Sequence, residues 1–209
     1  MRLTILAMWV TSTLAILGHE RRITWLAYVF KPLTTLLLFA VIGRPTTTFS
    51  WFVTAGVALS LVGDVALLSD SNRAFIVGLA AFLLGHVAYV IAFLGVAVWS
   101  PHVAVVAAIV LTSTLLLLRA IWKGAGSMQV PTVAFAAVIT TMVISAWATV
   151  GGPLATAPFA AAGAVLFYIS DSSLALNRFR RPIPHVSFLA LGVYWIGQLG
   201  IAIAASAPL

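Results

Sequence analysis

Four side chains in this sequence carry charge or proton-transfer chemistry inside long apolar runs: Lys31, Asp64, His86 and Asp171. A carboxylic acid within a membrane-crossing helix is costly, so it is read as functional by default. Two carboxylates and an ammonium are the materials of acid–base chemistry. The ammonium of Lys31 can hold one carboxylate as an anion, while burial keeps the other neutral. Such a pair supplies a general base and a general acid. Which aspartate does which is left open by the spacing. The chain has only four tyrosines, and each lies three or four residues from an intramembrane polar residue: Tyr28 before Lys31, Tyr89 after His86, Tyr168 before Asp171 and Tyr194 before Gln198. Residues so spaced share a helix face, which predicts polar faces turned to a common interior. Asp64 and Asp171 are the candidate catalytic pair. Lys31, Tyr28, His86, Tyr89, Tyr168, Asn177, Tyr194 and Gln198 are candidates for substrate binding or electrostatic support.

Other chemistries lack their parts. Cysteine is absent, so thiolate catalysis, Cys-ligated metals and disulfides are excluded. One deep histidine does not make a zinc site, and no metal or cofactor is expected. No Gly-rich phosphate loop or serine elbow is present. Thr34, Thr35 and Ser170 lie near the polar positions without a matching His–Asp arrangement. The other two acids, Glu20 and Asp70, fall in turns and are read as solvated.

These residues must be positioned by membrane helices. The chain has 209 residues, 63% apolar and 7% charged, against about 25% charged in a soluble domain. The net charge of +7 sits singly in short loops, which reads as topology control rather than nucleic-acid binding. Spans of about 20 apolar residues fall at roughly 3–18, 23–42, 51–69, 74–98, 102–122, 130–150, 155–176 and 185–205. The prediction is an all-α, polytopic helical bundle of about eight transmembrane helices, one domain over 1–209, in the cell membrane. The run after Arg2 reads as the first span, not a cleaved leader, because no small-x-small site follows it. Trp25, Trp51, Trp99 and Trp122 fall near helix ends, where amphipathic rings sit at the interface.

The loops after the first, third, fifth and seventh spans carry Arg21, Arg22, Arg73, Arg119, Lys123, Arg178, Arg180 and Arg181; the other side carries Arg2 and Arg44. That bias predicts both termini on the non-cytoplasmic side. With this topology Asp64 and Asp171 each fall about five residues, roughly 8 Å, before the cytoplasmic end of their helices, and so at one depth. Asp64, Asn72-Arg73 and Gly85-His86 are echoed by Asp171, Asn177-Arg178 and Gly197-Gln198. The echo points to two parallel four-helix halves, 1–98 and 102–209.

The stretches KPLTTLLL (31–38), GDVALL (63–68), FLLGHVAYV (82–90), YISDSSLALNRF (168–179) and YWIGQLGIA (194–202), in that order, resemble the YhhN family of lysoplasmalogenase-like membrane proteins. The resemblance covers nearly the whole chain. It implies an eight-helix membrane enzyme that cleaves the vinyl ether of a lysoplasmalogen-like lipid, giving a fatty aldehyde and a glycerophospho-headgroup. It also implies that Lys31, Asp64, His86, Asp171, Tyr194 and Gln198 match the family's polar positions, and that the partner is a single-chain lysophospholipid or related amphipathic lipid. From the residues alone two rival readings stand beside this one. Buried Asp, Lys and His also build proton-coupled transporters, and a non-catalytic lipid-binding scaffold is the third reading.

Overall fold

A computed structural model of the chain describes residues 1–69 and 71–207. Asp70, read above as a solvated turn acid, lies outside the described residues. Among the described residues eight α-helices run in order: α1 Arg2–Glu20, α2 Thr24–Ile42, α3 Thr48–Ala66, α4 Asn72–Leu94, α5 Pro101–Ala125, α6 Gln129–Ala148, α7 Ala157–Phe179 and α8 Val186–Ser206. Among the described residues seven helical stretches are long and apolar enough to cross a membrane; one of them, Pro101–Ala148, is 48 residues long. At 1.5 Å per residue that stretch would run about 70 Å, twice the hydrocarbon core. It is instead folded back at Gly126–Met128, where Gly126 takes φ +49°. The resulting hairpin is pinned inside the membrane by Thr114 and Thr140, whose hydroxyls lie 2.7 Å apart.

Helix ends follow local chemistry. α3 starts behind a capping box in which the Ser50 amide donates to Thr47 Oγ1 and the Thr47 amide to Ser50 Oγ. Ser71 caps α4 by accepting from the Ala74 amide. α4 stops at Leu94, four residues short of the expected 98, because the following loop crosses to α6: the Val98 amide donates to the Ala148 carbonyl. α7 runs three residues past the expected 176, to Phe179, and the prolines at 182 and 184 prevent further helix.

The loops of one end meet. Glu20, read as a solvated turn residue, instead ends α1 and reaches α8: its carboxylate lies 2.6 Å from His185 Nδ1 and accepts from the Phe188 amide. Tyr28 of α2 donates to the Leu68 carbonyl beyond α3, and the Arg178 guanidinium of α7 lies over the Phe75 ring of α4. This is the end that collects the arginines. Trp25, Trp51, Trp99 and Trp122 are all exposed, as rings facing the lipid interface should be.

Two helix pairs pack through glycine. In the second half, a Cβ on Gly163 of α7 would lie 2.5 Å from the Gly197 carbonyl oxygen of α8. In the first half, a Cβ on Gly85 of α4 would lie 3.2 Å from the Gly56 carbonyl oxygen of α3. Without a hydrophobic drive between helices in lipid, close backbone approach supplies the packing energy. The backbones of α4 and α7, by contrast, have no Cα atoms within 8 Å of one another. α4 and α7 meet through side chains instead, with the His86 and Phe167 ring centroids 4.5 Å apart.

Gly163→Ala is expected to cost about 1–3 kcal/mol, as overpacking does, because its Cβ would meet backbone. A Cβ on Gly192 meets nothing within 4 Å, so Gly192→Ala should unfold at or slightly above the wild-type midpoint. Thermal unfolding in detergent compares the two.

Candidate active site

The polar residues gather where α2, α3, α4, α7 and α8 come together. Lys31 reaches in from α2, seven residues past that helix's start, and Pro32 beside it does not interrupt the helix. Its Nζ lies 3.5 Å from Asp64 Oδ1. The other carboxylate oxygen of Asp64 accepts from Thr35 Oγ1 at 2.6 Å and from the Tyr194 hydroxyl at 2.8 Å. Thr35 is four residues after Lys31 and so shares its helix face. The shell continues outward: Trp195 Nε1 donates to Thr35, Gln198 Nε2 donates to the Tyr194 hydroxyl, and the Tyr89 hydroxyl donates to Gln198 Oε1. Asp64 is therefore held by one ammonium and two hydroxyl donors, the setting of a carboxylate anion.

Asp171 has a different environment. Its Oδ2 lies 3.5 Å from His86 Nε2, and neither atom has a hydrogen-bond partner. His86 Nδ1 lies 2.6 Å from the Phe82 carbonyl oxygen. A carbonyl can only accept, so this hydrogen-bond network assigns a proton to Nδ1 and leaves Nε2 to face the carboxyl. A lone pair and a carboxylate oxygen facing each other call for one proton between them. The imidazole is walled by Phe135 and Phe167, with ring centroids 5.2 and 4.5 Å away.

Lys31, Asp64, Asp171, Tyr168 and Tyr194 line one cavity of about 180 Å³ whose remaining wall is mostly apolar. The structure thus brings the two acids and the amine to a single space, although not by equal offsets. Asp64 is two residues from the end of α3 and Asp171 is eight from the end of α7, where five was expected for both; the difference arises because α3 stops early and α7 continues. His86, Tyr89 and Gln198 lie behind the cavity as buried partners. Tyr168 lines it, but its hydroxyl ties to Ser113 and Thr114 of α5 at 2.9 and 3.1 Å.

Two expected residues lie elsewhere. Tyr28 is 50% exposed and bonds the Leu68 carbonyl; three residues put it about 60° around the helix from Lys31, enough to face outward. Asn177 caps the α7–α8 loop, its Oδ1 accepting from the Ile183 amide. Sequence reasoning missed the Ser113, Thr114 and Thr140 hydroxyls, whose signal is a run of hydroxyl residues inside apolar spans, and did not give Thr35 or Trp195 a role. Among the described residues no three His, Asp or Glu side chains gather as metal ligands do.

The YhhN family model matches residues 26–205. Human lysoplasmalogenase TMEM86B is 29% identical over 188 residues, 89% of this chain and 78% of that protein. Human lysoplasmalogenase TMEM86A is 28% identical over 87% of this chain and 79% of its own length. An uncharacterized membrane protein YhhN of Escherichia coli is 29% identical, covering 92% of this chain and 93% of its own. No solved structure matches.

Lys31→Met leaves the Asp64 carboxylate without its cation and is expected to cost about 3–5 kcal/mol. Adding Asp64→Asn should recover most of that loss. Unfolding of both variants in detergent checks the coupling; a double variant no more stable than Lys31→Met contradicts it.

Proposed function

The chain belongs to the YhhN family, and on that premise we propose that it is a membrane-embedded hydrolase that cleaves the vinyl ether of a lysoplasmalogen-like single-chain lipid. The observation that carries the reading is the contrast between two carboxyl groups on one cavity: Asp64 ringed by donors, Asp171 Oδ2 buried against His86 Nε2 without a hydrogen-bond partner. The names of the human relatives supply the substrate class. The arginine-bearing end faces the cytoplasm in this reading.

Vinyl ether hydrolysis begins with a proton delivered to the vinyl carbon β to the ether oxygen, which turns the ether into an oxocarbenium ion. Asp171, in its neutral form, is the acid. Apolar walls around His86 disfavour an ion pair there, so the shared proton rests on the carboxyl. Asp171 is also the more accessible acid, its side chain 17% exposed against 2% for Asp64. Asp64 is the anion. Fixed by Lys31, Thr35 and Tyr194 before the substrate arrives, it stabilises the cation without reorganisation and takes a proton from the attacking water. Water adds to the cationic carbon, giving a hemiacetal, which collapses to a fatty aldehyde and the glycerol hydroxyl. The proton taken up by Asp64 returns to Asp171 through water in the cavity that both acids line, which closes the cycle.

The cavity fits the reacting part of such a lipid and not the whole of it. Its volume of about 180 Å³ is below the roughly 300 Å³ at which pockets for drug-sized ligands begin. The rest of the alkyl chain lies among the helices and in the bilayer.

Purified protein given a lysoplasmenyl-ethanolamine should release free aldehyde. Asp171→Asn should lower that rate by about 10²–10⁴-fold, the usual worth of a positioned general acid, while the variant still folds in detergent. Asp64→Asn should fall comparably. Full turnover in either variant removes the mechanism.

A further inference from the structure

The cavity has a cationic mouth. Arg178, exposed in the last turn of α7, lines it together with Phe75 of α4. Its guanidinium carbon lies 3.7 Å above the Phe75 ring, a cation–π contact that holds the side chain across the gap where the two helix backbones stay apart. Asp171, Leu174, Ala175 and Arg178 all line the cavity; at spacings of three, four and seven they form one stripe down α7. Among the described residues Arg178 makes no ion pair, whereas the other cation on the cavity, Lys31, is already matched by Asp64.

We propose that Arg178 is the specificity-determining residue of the site: it binds the phosphodiester of the substrate and so sets the register that presents the vinyl carbon to Asp171. This inference rests on the hydrolase reading above. Seven residues separate the two side chains, about 10 Å along the helix. In a lysoplasmalogen seven bonds separate the vinyl carbon β to the ether oxygen from the phosphorus. An extended covalent chain advances about 1.2 Å per bond, or about 8 Å over seven. The flexible arginine stem absorbs the difference. A planar guanidinium matches two phosphate oxygens at once, which a lysine ammonium does not. The chemical class that fits is therefore a single-chain vinyl ether carrying a phosphodiester two carbons beyond the ether carbon of its glycerol, and not a neutral alkenylglycerol.

The test compares two substrates of equal chain length, a lysoplasmenyl-ethanolamine and a 1-alkenylglycerol without phosphate, by kcat/KM for aldehyde release. The wild type should prefer the phosphorylated lipid by about ten- to a hundredfold, the worth of a charge-assisted contact. Arg178→Gln should bring that ratio close to one by raising KM for the phosphorylated lipid far more than for the neutral one; Arg178→Lys should restore part of the preference. A wild type that does not discriminate overturns the inference, as does an Arg178→Gln variant that loses both activities in equal measure. If the wild type releases aldehyde from neither substrate, the hydrolase reading fails and takes this inference with it.

Discussion

A carboxylate inside a membrane protein has to be met by donors, and the Asp64 network meets that demand. Leaving its charge unpaired in an apolar interior would cost several kcal/mol. The partners come from two other helices: Lys31 and Thr35 from α2 and Tyr194 from α8, with α3 carrying the acid itself. Tyr89 of α4 and Gln198 complete the chain of hydrogen bonds. One buried charge thus fixes the rotation and mutual height of α2, α3, α4 and α8, since each donor has only one helix face on which it can reach the acceptor.

Asp171 depends on that arrangement rather than adding to it. Close glycine contacts bind α3 to α4 and α7 to α8, and between these pairs α4 and α7 stand apart. Phe82, Phe167 and Tyr194 fill much of the gap edge to face, and the His86–Asp171 pair spans it. The same scaffold gives one acid a full set of donors and the other almost none. Chemically that asymmetry is useful, because two like carboxyls could not serve as acid and base at the same pH.

Much of this was legible in the residues. Hydropathy runs locate the helices because a span must be apolar for about 20 residues. The intramembrane acids stand out because a polar side chain there needs a reason. Lys31, Asp64, His86, Asp171, Tyr89, Tyr194 and Gln198 all lie in or against one polar centre. What the sequence hid is rotation and ending. Tyr28 shares a broad face with Lys31 yet looks outward, because the Leu68 carbonyl left over at the end of α3 offers its hydroxyl a partner. Asn177 reads as a polar residue near Asp171 but serves the loop after α7. Offsets counted from expected helix ends were unequal in the event because α3 stops at Ala66 and α7 continues to Phe179, although both acids line one cavity.

The account turns on the two acids holding opposite protonation states in one cavity, and infrared spectroscopy of the purified protein reads that directly. The wild type should show a protonated carboxyl band that disappears in Asp171→Asn and persists in Asp64→Asn. A spectrum with no such band, or one in which it vanishes with Asp64→Asn and survives Asp171→Asn, would contradict the assignment of acid and base.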